Sequence, residues 1–292
     1  MTDLSPIRRL AWVTARAAHG RDPDEPLAVD AISRLGVEVQ VVDWDDPGVD
    51  WTSYDRVVLR SAWDYPDRLA EFLSWVDRVD AVTELCNPVE PLRWGLDKHY
   101  LAELRDAGVP ITPTAFVEPG DVPVFPAEGW VVKPAVGAGS RDAAAYHHGH
   151  ESKAAAHVRR LHDRGLAVLV QPLLPSVSVE GEWPLVFLGG QFSHAASKRV
   201  ELPVAGEVDD ELFAAEVNVP HVADAEQVAV ATAAHEVVRR RFGDLAYVRV
   251  DLVRGLDGGY CVMELELVEP SLFLTEGGRA AVLRCAEVLS GR

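Results

Sequence analysis

Positive charge is scarce in this chain: 28 Lys and Arg stand against 46 Asp and Glu, a formal net charge of −18 over 292 residues. A surface this acidic cannot neutralise a phosphate backbone or anionic lipid headgroups, which excludes nucleic acid and membrane surfaces as partners. Cysteine is nearly absent too. Cys86, Cys261 and Cys285 have no CxxC spacing, so they form neither a zinc site nor a disulfide framework and read as reduced, buried thiols. No apolar run approaches the roughly 18 residues of a membrane span. Nor does a signal-like apolar core follow the basic pair in MTDLSPIRRLAWVTARAAHG. A cytoplasmic protein is expected. The remaining composition, 48% hydrophobic and 25% charged, is that of an ordinary globular protein, and the length suggests two or three lobes.

The stretch richest in chemistry is 247–271, YVRVDLVRGLDGGYCVMELELVEPS. Alternation predicts strands over 247–253 and 260–267, joined by a turn at 255–259. Residues two apart on a strand share a face, so Glu264 and Glu266 are neighbours and the hairpin folds Asp251 towards them. Three uncompensated carboxylates repel and take up protons unless cations meet them. An all-oxygen donor set suits magnesium or manganese rather than zinc. The competing reading is a solvated sheet face, with Leu265 and Leu267 turned to the core.

Upstream, strands at 10–14, 37–42 and 55–59 and helices at 26–35 and 66–76 give β-α-β-β-α order. That order predicts a mostly parallel sheet with ligand sites beyond the carboxyl ends of its strands. Arg16 sits at one such end, and the segment 60–65 at another, where Arg60, Ser61, Trp63 and Tyr65 offer charge pairing, hydrogen bonding and stacking. A linker is expected at 87–91, then a helix from Asp97, its N-cap, to Ala107, with Lys98 on the first turn. The strand 130–133 ends in Lys133 and runs into a loop where Gly137, Gly139 and Ser140 let the backbone approach phosphate oxygens. Without GK[ST] opening a helix it is not a Walker loop. His147, His148 and His150 lack a spaced partner and read as a solvated turn. A helix at 151–164, a strand at 167–170 ending at Gln171, a strand at 191–200 holding Lys198 and Arg199, and a helix at 224–242 lead to the acidic hairpin.

Taken in order, these features resemble the ATP-grasp superfamily, in its glutathione synthetase-like branch, over nearly the whole chain. The resemblance implies a mixed α/β fold: a Rossmann-like parallel-sheet lobe over 1–92, a central ATP-grasp lobe with the Gly-rich loop over 93–172, and a C-terminal lobe with the metal site over 173–292. It implies that Lys98 and Lys133 hold ATP phosphates, that Gly137, Gly139 and Ser140 close over them, and that Gln171 and Leu173 meet adenine. Glu182, or Glu180 in its place, would accept from the ribose hydroxyls, and Arg199 with Lys198 would neutralise the transferring phosphoryl group. Asp251, Glu264 and Glu266 match the ligands of two Mg2+ or Mn2+ ions, although many members have Asn where Glu266 stands.

Arg16, Arg60, Ser61, Trp63, Tyr65, Glu269 and Ser271 are then the candidates to meet a small amino-acid-like substrate. The implied reaction forms an acyl phosphate and ADP, and a nitrogen nucleophile captures the acyl group. VVLRSAWDYPDR and EGEWPLVFLGGQFSHAASKR are further similar to the actinomycete group of cyclo-ligases that close O-ureido-D-serine to D-cycloserine. An intermolecular carboxylate-amine ligase and a nucleotide-binding protein without turnover are the alternatives, and a homo-oligomer is left open.

Overall fold

The computed structural model describes residues 6–139, 141–200 and 216–292, so Ser140 of the Gly-rich loop lies outside the described residues. In the first third, β1 (Arg9–Thr14), α1 (Asp24–Arg34), β2 (Glu38–Asp43), β3 (Arg56–Ser61), α2 (Leu69–Asp80) and β4 (Glu84–Cys86) follow the expected order. They make a four-stranded, all-parallel sheet ordered β2-β1-β3-β4. Its central strands are apolar on both faces because both faces are covered. Leu10, Trp12 and Val58 pack with Ala28 and Ile32 of α1, while Ala11, Val13, Val57 and Leu59 meet Phe72, Trp75 and Val76 of α2.

Two boundaries differ from expectation. β3 runs two residues past Leu59, because Ser61 still pairs with Thr14 and their hydroxyls lie 2.8 Å apart. Arg60 and Ser61 are therefore strand residues, not loop residues. The expected linker at 87–91 enters α3 (Val89–Leu96), since Pro91 falls in the first turn, where its missing N–H costs nothing. α4 (Tyr100–Asp106) then begins after Asp97, whose carboxylate accepts from the His99 N–H at 3.0 Å instead of capping from the predicted place.

β5 (Ala115–Val117), β6 (Trp130–Pro134), β7 (Ala144–Tyr146), α5 (Glu151–Asp163) and β8 (Val168–Pro172) build a second, antiparallel sheet ordered β5-β8-β6-β7. After α6 (Pro175–Glu180) come β9 (Trp183–Leu188), β10 (Gln191–Val200), β11 (Glu216–His221), α7 (Ala225–Phe242), β12 (Tyr247–Arg254), β13 (Tyr260–Glu266) and α8 (Leu274–Leu289). The strands among them form an antiparallel sheet ordered β11-β10-β9-β12-β13. A capping box starts α7: Asp224 accepts from Gln227 N–H at 2.8 Å, and the Gln227 side chain accepts in return at 3.0 Å.

Two buried polar residues tie the parallel sheet to the acidic hairpin. The Tyr247 hydroxyl lies 2.8 Å from the Leu59 carbonyl and 3.0 Å from those of Cys86 and Val268. The Asn87 amide donates to Tyr247 O and Leu267 O, both at 2.9 Å, and its oxygen accepts from Ala246 N–H at 3.0 Å. Each satisfies backbone groups that burial would otherwise strand, so the junction is specific as well as apolar. Among the described residues, no helix is long and apolar enough to cross a membrane.

Candidate active site

The turn between β12 and β13 closes with Gly255 N–H donating to Gly259 O at 2.8 Å, while Asp257 accepts from Gly259 N–H at 3.1 Å. Gly258 there has φ +85°, a conformation side chains resist. The resulting register sets Asp251 opposite Glu264 and Arg249 opposite Glu266, all on one face. Arg249 therefore intervenes where the sequence suggested only acids. Its Nε and Nη2 donate to the two Asp251 oxygens, each at 2.8 Å, Nη2 also donates to Glu266, and Nη1 reaches Ser271 O at 3.1 Å.

Lys98 Nζ stands 2.9 Å from Glu264 and 2.8 Å from Gly137 O. Lys198 Nζ stands 2.8 Å from Glu182 and 3.8 Å from Asp251. These cations, rather than mutual repulsion, govern the acids. Burial alone would raise the Glu264 carboxyl, but Lys98, Lys133 and Lys198 outweigh it and hold it down at about 2. At Glu266 burial wins over Arg249, with Asp251 and Glu264 adding, and the carboxyl rises to about 7. Burial likewise lowers the Lys133 ammonium, opposed by Glu264 and helped by Lys98. The expected uncompensated cluster is thus corrected. Among the described residues no three acid, His or Cys side chains are gathered as a ready metal cage, and Arg249 and Lys98 already pair with the three acids.

All of these groups except Asp251, which is fully buried against Arg249, line one cavity of about 460 Å³ between the three sheets. Lysine occurs only four times in the sequence, and Lys98, Lys133 and Lys198 all reach this cavity. Gly137, Gly139, Gln171, Leu173 and Glu182 line the same space, and Gly139 has φ +62°. Trp63, Tyr65, Glu269 and Ser271 reach it as well. The Trp63 indole donates to Glu269 O at 3.0 Å. Asp24 accepts from Leu272 N–H at 2.5 Å and Leu274 N–H at 2.8 Å, and Arg60 donates to Pro270 O. The parallel sheet and α1 thereby pin the backbone that follows β13.

Several sequence candidates do not reach the cavity. Arg60 is 1% exposed, sandwiched between the Trp12 and Tyr247 rings and 3.8 Å from Asp24, so it shapes the site without facing a ligand. Ser61 is buried against Thr14, and the Arg16 side chain is exposed beside Asp43. Glu180 pairs with Arg254 at 3.1 Å, leaving Glu182 to face inward. Neighbours on a strand point to opposite faces, so with Lys198 turned inward Arg199 is exposed outside. Arg249 and Asp24 were missed. The rule that joined Glu264 to Glu266 also puts Arg249 on the face of Asp251, whereas Asp24 has no local signal.

A Gly-rich strand-loop and an acidic hairpin, set between two antiparallel sheets beside a parallel one, define the class: this is the ATP-grasp fold. The D-alanine–D-alanine ligase of Bacillus anthracis shares the fold, with TM-score 0.65 at 12% identity over 97% of this chain and 96% of that one. Closer likenesses narrow it. Residues 10–87 match the family model described as D-cycloserine synthetase DcsG, N-terminal domain. The cycloserine biosynthesis protein DcsG of Streptomyces lavendulae is 40% identical over 296 residues, 97% of this chain and 98% of that protein. The crystal structure of D-cycloserine synthetase DcsG superposes with TM-score 0.87 at 37% identity, covering 97% of this chain and 99% of the other. The chain belongs to the D-cycloserine synthetase DcsG family.

Proposed function

We propose that this protein uses ATP to close O-ureido-D-serine to D-cycloserine. The whole-length likeness to a cycloserine biosynthesis protein carries the reading. The cavity supports it, since Lys98, Lys133, Lys198 and Arg249 line it together with Trp63, Tyr65, Glu269 and Ser271. A substrate carboxylate oxygen attacks the γ-phosphorus, the bond to the β,γ-bridging oxygen breaks, and ADP leaves with the electron pair. The nitrogen bonded to oxygen in the same molecule then attacks the acyl carbon, loses its proton, and expels phosphate. D-cycloserine carries no carbamoyl group on that nitrogen, so water afterwards releases it as carbon dioxide and ammonia.

Phosphoryl transfer of this kind asks the protein for positioning and charge neutralisation rather than covalent work. Lys98 and Lys133 are assigned to ATP phosphates, with 137–139 closing over them, Gln171 and Leu173 to adenine, and Glu182 to ribose. Lys198 and Arg249 are assigned to the transferring phosphoryl group, in place of Arg199. Asp251, Glu264 and Glu266 supply the hard oxygen donors that magnesium or manganese prefers, and phosphates would offer Lys98 and Arg249 other anions to hold. Such an ion, when bound, neutralises phosphate charge. Trp63, Tyr65, Glu269 and Ser271 are assigned to the substrate. An internal nitrogen is held near the carbonyl without a second amine site, and closure keeps water from the acyl phosphate. The need for ATP fits a cytoplasmic setting.

The test supplies O-ureido-D-serine as sole substrate with ATP and magnesium. One ADP and one phosphate should appear per D-cycloserine formed, without added amine. ADP that appears only when a separate amine is supplied would instead make this an intermolecular carboxylate-amine ligase, and ATP binding without ADP would leave a nucleotide-binding protein.

A further inference from the structure

The buried acids that line the cavity are matched by protein groups, with one exception. Glu182 holds Lys198, and Asp24 accepts two backbone N–H groups and lies near Arg60. Glu269 is 7% exposed and faces the cavity, and no described Lys, Arg or His pairs with it. Tyr65 lines the same cavity, and its hydroxyl favours the charged form of Glu269. The backbone around it is pinned by Trp63, Arg60 and Asp24, so the carboxyl is held in place rather than free to swing into solvent.

A buried carboxylate without a counter-charge either takes a proton or waits for a cation. Burial pushes the Glu269 carboxyl up to about 8; Glu266 adds to the rise, while Lys98, Tyr65 and Arg249 oppose it only in part. The metal ion is assigned to Asp251, Glu264 and Glu266, and the remaining charged functions of the proposed reaction, phosphates and substrate carboxylate, are anionic and suit the lysines and Arg249. We infer that Glu269, steadied by Tyr65, is the subsite for the α-ammonium group of the substrate, and that it makes the enzyme select α-amino acids over their deamino counterparts. This rests on the reading that the substrate is an α-amino acid. The carboxylate is joined to the same carbon as the ammonium, so it would be directed back past Glu266 towards Arg249 and Lys198.

The test compares wild type with Glu269→Gln, which keeps the shape and an acceptor for Tyr65 but cannot pair with a cation. Binding is measured calorimetrically, with magnesium and a non-hydrolysable ATP analogue present. The two ligands are O-ureido-D-serine and the same molecule with hydrogen replacing the ammonium. Wild type should prefer the ammonium-bearing ligand at least about tenfold. The variant should bind that ligand about 10- to 100-fold more weakly, the loss of one charged hydrogen bond, with the deamino ligand and nucleotide unchanged. A variant that keeps the preference, or a wild type that has none, overturns the subsite. ADP release, followed separately, distinguishes this from failure of the proposed reaction. If O-ureido-D-serine yields no ADP, the same comparison with D-serine and 3-hydroxypropanoate decides the subsite by the same two outcomes.

Discussion

The two ends of the cavity balance charge in opposite ways. At the hairpin end Asp251, Glu264 and Glu266 each have a cation in contact: Arg249 for the first and last, Lys98 for the middle one. At the end facing the parallel sheet, Glu269 is buried with only a hydroxyl for company. On the proposed function the first arrangement accepts anions by exchange, each lysine or arginine turning to a phosphate while a metal takes its carboxylate. The second is incomplete without a cation. A cavity with one end ready for anions and the other for a cation suits a nucleotide and a zwitterion together.

The sharpest break of this comparison comes at the hairpin. Glu264→Gln leaves Lys98 its bond to Gly137 O but removes an oxygen donor from the set proposed to hold the metal. Turnover should fall by at least about 100-fold while the folded state persists, read by steady-state ADP release and circular dichroism. Activity within a few-fold of wild type would mean that this face binds no metal of consequence. Next comes Arg60→Ala, which leaves Asp24 without its nearby cation and the Trp12 and Tyr247 rings without their filling. Chemical denaturation should show a loss of about 3 kcal/mol or more. A loss below about 0.5 kcal/mol would class Arg60 with ordinary surface residues.

A smaller contrast separates adjacent residues of β10. Lys198→Met should slow turnover about 10- to 100-fold, whereas Arg199→Met should stay near wild type, because only the first side chain reaches the cavity. Equal effects would mean that strand parity has been assigned wrongly. The smallest effect concerns pH. With its folded-state pKa raised from 4.5 to about 8, Glu269 contributes most to stability below pH 4.5, and that contribution is lost as pH rises through 8. Without ligand, Glu269→Gln should therefore gain in Tm relative to wild type as pH rises from 5 to 8. A difference that is flat with pH would show that Glu269 is not held as the acid.

Much of this contrast was legible from local pattern. The hairpin, its turn and the shared face of Glu264 and Glu266 follow from period-2 alternation and a Gly-rich turn, which depend on nearby residues alone. Lys98 and Lys133 could be placed by order along the chain. What sequence could not supply was the partner of each charge. Arg60 looked like a ligand-facing residue because arginine is seldom buried, and its burial depends on Tyr247, far along the chain. Lys198 and Arg199 could not be told apart, since which face of β10 looks inward is set by β9 and the sheet as a whole. The end at 269–274 was the least legible, because its shape comes from Asp24 of α1 and Trp63 of the turn after β3, both far away in sequence.

The division of work between the two ends is tested most directly by measuring ATP affinity, with magnesium, in wild type, Lys133→Met and Glu269→Gln by calorimetry. If the two ends divide the work, Lys133→Met loses about 10- to 100-fold in ATP affinity and Glu269→Gln loses none. Equal losses in both variants, or an unchanged affinity in Lys133→Met, would contradict it.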